Sequence, residues 1–137
     1  MVAVQLRELV RDMRRRAQTL PTAAERIAMI REVVIFCVAF HTMKRGFELS
    51  VAVASQMLQM SGGEGLIFNF LFGKTLRNSS DAVVVKNLDF REICAVAAMV
   101  EYQQAVESMQ WSLAKGSGFL FPSVLEGGEK GLSLIHI

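Results

Sequence analysis

Apolar residues recur every three to four positions at the start of the chain: Leu6, Leu9, Val10, Met13 and Ala17. That spacing lines one face of a helix, so the pattern predicts an amphipathic helix over 4–18. Leu20-Pro21-Thr22 interrupts it. Thr22, three residues ahead of Glu25, has the capping-box spacing, and Pro21 suits a helix entry. A second helix is therefore expected over 23–43. Its first half mixes Ile27, Ile30, Val33 and Val34 with Arg26, Arg31 and Glu32, whereas residues 33–40 are apolar without interruption. A helix that is apolar all round belongs in the middle of a core.

Beyond Gly46 the pattern weakens to a short helical or turn stretch ending near Met60, then a glycine-rich loop over 61–65. Residues 66–72 are short and aromatic-rich, and 82–85 are β-branched. With turn residues between them, they predict a β-hairpin whose tip lies at 74–80. Asp89 is placed to cap a third long helix over 90–113, with Ile93, Val96, Ala97, Val100, Ala105, Val106 and Met109 on its buried side. Residues 119–121 read as a brief extended segment stopped by Pro122. The fold class expected is α+β, mostly helical with a small antiparallel hairpin or sheet.

Composition narrows the function. The chain has 137 residues, 52% of them hydrophobic, which gives one domain with a real core and excludes a disordered or collagen-like protein. Cys37 and Cys94 sit in apolar stretches, as buried thiols do in a reducing compartment, and with two histidines they form no metal-site spacing. The longest apolar run is eight residues, and a membrane span needs about 20. Charges at Arg7, Glu8, Arg11 and Asp12 leave no apolar core for a signal peptide. A soluble intracellular protein, in a nucleus or in the cytoplasm or nucleoid, is expected. Charge is uneven: residues 1–50 hold nine Lys/Arg against five Asp/Glu, and 51–137 hold six against eight. The basic half points toward phosphate or nucleic acid, with Arg7, Arg11 and Arg14 as candidate phosphate contacts.

The end of the chain is unusual. Leu132-Ser133-Leu134-Ile135-His136-Ile137 is the translation of CTG TCT CTT ATA CAC ATC, a string that resembles a transposase-based sequencing adapter. The expectation is an authentic part over 1–131 and an adapter-derived tail over 132–137. The alternative is a short terminal strand docked on the sheet.

Two segments carry candidate chemistry. In Thr42-Met43-Lys44-Arg45-Gly46-Phe47-Glu48-Leu49, two cations follow a buried helix directly. A guanidinium whose stem leaves a core is rigidly aimed, which suits bidentate phosphate recognition. Arg45 and Glu48 are also spaced to form a structural pair. In Gly73-Lys74-Thr75-Leu76-Arg77, a lysine at a hairpin tip can deliver a charge or a proton. No earlier glycine stands at Walker spacing, so this is not a P-loop.

Together, in this order, these segments resemble the catalytic domain of tyrosine recombinases, the phage-integrase family. The family's first box commonly reads Arg-Asp, an apolar helix, then Thr-Gly-Leu-Arg-x-x-Glu-Leu. Here Arg31-Glu32, residues 33–40 and Thr42-Met43-Lys44-Arg45-Gly46-Phe47-Glu48-Leu49 stand in that order. The resemblance spans about residues 25–125. It implies that Arg45 binds the scissile phosphate and stabilises its transition-state charge, and that Lys74 protonates the leaving 5′ oxygen. It makes Glu48 a supporting residue and Arg77 a phosphate contact; Lys44, which stands where the family has an apolar residue, is a further candidate phosphate contact. Double-stranded DNA is the implied partner, with other recombinase protomers, and neither a cofactor nor a metal is implied. Met43 stands where the family has glycine. The His-x-x-Arg box and the nucleophilic tyrosine are missing, and Tyr102, the single tyrosine, falls inside the third helix. The chain is therefore expected to be a DNA-binding but catalytically inactive N-terminal part of such a domain. The competing expectation is a non-enzymatic helical module that binds a partner protein.

Overall fold

The computed structural model describes residues 2–43, 57–70, 80–108, 122–123 and 133–134. Helix α1 (Ala3–Thr19) and helix α2 (Ala23–Thr42) follow the hydrophobic pattern closely. On α1, Leu6, Val10, Met13 and Ala17 are buried, while Leu9 is only partly covered. The start of α2 is held as expected: the Thr22 hydroxyl accepts from the Glu25 backbone N–H at 3.1 Å. The continuous apolar run makes α2 the central helix, in contact with α1, with a strand and with a third helix. Phe36 alone of that run turns outward.

Helix α2 closes on Met43, whose N–H donates to the Ala39 carbonyl at 2.8 Å. Met43 is left-handed, with φ 59° and ψ 21°, and 86% exposed. A side chain with a Cβ pays about 1–2 kcal/mol in that region, where glycine fits freely. Met43→Gly is expected to raise stability by about 0.5–1 kcal/mol, read as a higher urea midpoint with an unchanged slope. A lower midpoint would show that Met43 contributes packing there.

Strands β1 (Met57–Gln59), β2 (Gly65–Phe70) and β3 (Ser80–Val85) form an antiparallel sheet in that order. Hairpin β2–β3 is the one expected from the aromatic and β-branched runs. Its register runs from Gly65 opposite Val85 to Phe70 opposite Ser80. Leu66, Phe68 and Val84 point into the core, and Val83 and Val85 face out. The connection between β1 and β2 needs its glycines. Gly62 and Gly63 have φ of 75° and 68°, and a Cβ on Gly65 would lie 2.8 Å from the Val84 carbonyl oxygen. Strand β1 corrects the helical or turn reading of the stretch before Met60. Three residues carry no periodicity of their own, and its backbone is satisfied by β2.

The third helix also departs from expectation. It is α3 (Ala95–Ser108), preceded by a short 3-10 turn (Arg91–Ile93). Asp89 does not cap it. Asn87 Oδ1 accepts from the Phe90 N–H at 2.8 Å, and Cys94, extended at ψ 115°, gives its carbonyl to Ala98 N–H. Residues 109–113 of the expected helix, and 119–121, lie outside the described residues. Strands β4 (Pro122–Ser123) and β5 (Ser133–Leu134) pair with each other, not with the main sheet. The architecture is α+β, mostly helical with a small antiparallel sheet, and one hydrophobic cluster joins α1, α2, the sheet and α3. Among the described residues, no helix is long and apolar enough to cross a membrane.

Candidate nucleic-acid interface

The end of α2 is fixed by polar contacts that reach across the fold. His41 Nδ1 lies 2.7 Å from the Cys37 carbonyl, which can only accept, so Nδ1 carries the hydrogen. His41 Nε2 is then the acceptor for the Asn87 amide, whose Nδ2 is 3.2 Å away. The Phe40 ring meets the imidazole edge-on. Thr42 Oγ1 donates to the Val38 carbonyl at 2.8 Å, so its hydroxyl is turned back on its own helix. Asn87 thus ties the helix that precedes Arg45 to the chain that leaves β3. The sequence signal for it is Asn87-x-x-Phe90, the spacing at which an asparagine oxygen caps a backbone N–H.

Lys44, Arg45 and Glu48 lie outside the described residues, as do Lys74 and Arg77. Their flanks are described. Helix α2 ends beside Asn87, two residues past the Gly65–Val85 pair at the foot of the hairpin. Lys74 belongs to the nine-residue connection at the opposite end, beyond the Phe70–Ser80 pair, and the register is centred in sequence on residue 75. Six residues of strand separate foot from tip, roughly 20 Å. The chain re-enters the sheet at Met57 opposite Phe68, near the tip end.

The three arginines of α1, candidate phosphate contacts, each make a contact within the protein. Arg7 lies over the Phe90 ring, its Cζ 5.6 Å from the centroid. Arg11 grips both carboxylate oxygens of Glu92, one of them at 2.6 Å. Arg14 Nη1 lies 2.7 and 2.6 Å from the two oxygens of Glu101. Spaced four and three residues apart, they form one row that clamps α1 onto the segment from Phe90 into α3. The Glu92 hydrogen bond raises the Arg11 pKa, and the same bond holds the Glu92 carboxyl below its usual range. The acids that meet Arg11 and Arg14 lie more than 80 residues away in sequence. Arg16 is held by Asp12 one turn back, at 3.0 Å. Arg15 is exposed and without an ion pair among the described residues.

Neither thiol nor phenol offers a nucleophile. Tyr102 is fully buried on α3, and burial raises its pKa, partly opposed by the Arg31 charge. Cys37 is fully buried on α2, and burial pushes its thiol up to about 12. A Cys37 proton retained in the folded state but lost from the unfolded chain makes stability fall with alkali. The contribution is complete below the unfolded thiol value near 9 and is lost as pH rises toward 12. The urea midpoint is expected to drop between pH 9 and 11.5, and Cys37→Ala to flatten that drop; an unaltered alkaline slope would place the titration elsewhere.

No group of three metal-ligating side chains occurs among the described residues. Compared with protein-family models, curated proteins and solved structures, the chain matches none.

Proposed function

We propose that the chain is a DNA-binding, catalytically incomplete part of a tyrosine-recombinase-type domain. In this reading Arg45 binds the scissile phosphate and Lys74 delivers a proton to the leaving 5′ oxygen. The observation that carries it is the order of elements. A buried helix ends in a left-handed cap at Met43, two residues before Arg45, and leads into an antiparallel sheet whose long hairpin is centred beside Lys74. The family's box has glycine at the Met43 position, and glycine is the residue that left-handed cap favours. Glu48 supports Arg45, while Lys44 and Arg77 flank the phosphate. Duplex DNA is the partner and no cofactor is needed. The chemistry also needs a tyrosine hydroxyl to attack phosphorus, and Tyr102 is too deeply buried to serve.

The ion pairs of Arg11 and Arg14 within the protein compete with phosphate for both cations and favour the second reading, a module that binds a partner protein. Titration of the chain with duplex DNA at several salt concentrations separates the two. If about four phosphates are neutralised, affinity falls about a hundredfold between 50 and 200 mM salt. Arg15→Gln is expected to lower that slope by about one, and Arg11→Gln and Arg14→Gln to leave it unchanged. No binding at low salt would reject the recombinase reading.

A further inference from the structure

We propose that the groove between α3 and the foot of hairpin β2–β3 binds a short peptide segment of a partner protein, one that sets a carboxylate beside apolar side chains. The groove encloses about 600 Å³, within the size range of pockets that hold a ligand. One wall is α3, through Val96, Ala97 and Val100; the other is the chain leaving β3, through Leu88, which is 70% exposed. Single apolar residues at a surface are ordinary. Here three exposed ones, Leu88, Ala97 and Val100, converge with the buried Val96 on one concavity beside α3.

Charge decides the occupant. Lys86 and Arg91 are the charged residues lining this groove. Both are exposed, and among the described residues neither joins an ion pair. Glu64, whose carbonyl accepts from Lys86 N–H, makes no ion pair with its side chain either. The arginines of α1 show the contrast, since Arg11 and Arg14 each have an acid within the protein. Two open cations beside an apolar wall match an acidic residue flanked by leucine-like ones, presented as a helix or an extended strand. A DNA backbone would satisfy the cations but leave the apolar wall bare. The proposal stands apart from the recombinase reading.

A peptide-display selection on the immobilised 137-residue chain tests it. Recovered sequences are expected to pair at least two apolar residues with an acid within four positions. A synthetic peptide from that set should bind at least tenfold more weakly to Lys86→Glu, Arg91→Glu and Ala97→Glu, and so should its Glu→Gln version to the unaltered chain. These three positions are exposed, and circular dichroism checks that the variants stay folded. On the unaltered protein, amide shifts on peptide addition should map to 86–100. Recovered peptides without an acid, affinity indifferent to the substitutions, shifts mapping elsewhere, or variants that weaken duplex DNA binding and not peptide binding would each overturn the proposal.

Discussion

Tyr102→Ala is expected to unfold the chain at room temperature or bring it close to unfolding, while Tyr102→Phe leaves it folded. Among the described residues Tyr102 is the largest of the fully buried side chains, and it lies in the cluster that holds α1, α2, the sheet and α3 together. Removing a buried aromatic ring costs about 3–5 kcal/mol, through lost transfer free energy and the cavity left behind. A domain of this size has a net stability of only about 5–15 kcal/mol. Phenylalanine keeps the ring and gives up the hydroxyl, at about 1 kcal/mol. Urea denaturation of both variants reads the difference directly. A loss below about 1 kcal/mol for alanine would mean that the ring is not part of the core. The pair also tests chemistry. If the hydroxyl attacked DNA, phenylalanine would abolish covalent adducts; with the hydroxyl sealed in the core, no adduct forms in the first place.

The other large effect concerns Arg45. In a longer chain that supplies a His-x-x-Arg box and a tyrosine nucleophile, Arg45→Ala is expected to lower the rate of DNA strand cleavage at least about a hundredfold. Duplex affinity should stay within a few-fold, because a single phosphate contact is a small part of an extended interface. Arg45→Lys should rescue little, since an ammonium cannot grip two phosphate oxygens as a guanidinium fork does. Cleavage by Arg45→Ala at the ordinary rate would make Arg45 the structural partner of Glu48 and leave the phosphate without its first clamp.

The two helices and the hairpin were legible because each is written locally. Leu6, Val10, Met13 and Ala17 show their period without help, Thr22 announces its helix, and the β-branched run at 82–85 has no better use than a strand. What escaped the sequence is what distant segments decide together. Strand β1 exists because β2 offers it hydrogen bonds. The start of α3 is set by Asn87 and Cys94, which also face His41 and the turn before it, so Asp89 lost its expected task. The ion pairs of Arg11 and Arg14 escaped for the same reason: a cation looks free until the acid that meets it is known. Of the candidate site, the spacing of Arg45 and Lys74 around a helix end and a hairpin was visible in sequence. The His41–Asn87 contact that ties the helix end to the foot of the hairpin was not.

The clamps on α1 also set a timetable. Arg11 and Glu92 are 81 residues apart, and Arg14 and Glu101 are 87. At a synthesis rate of about 5–20 residues per second, α1 leaves the ribosome roughly 4–17 s before both partners exist. Helix α2 can cover part of its apolar stripe at once, as the two are neighbours in sequence and in space. Until residues 92–101 arrive, the row of three arginines stays open and cationic on the nascent chain. For those seconds the first helix is a basic amphipathic segment whose Arg11 and Arg14 have yet to meet their acids.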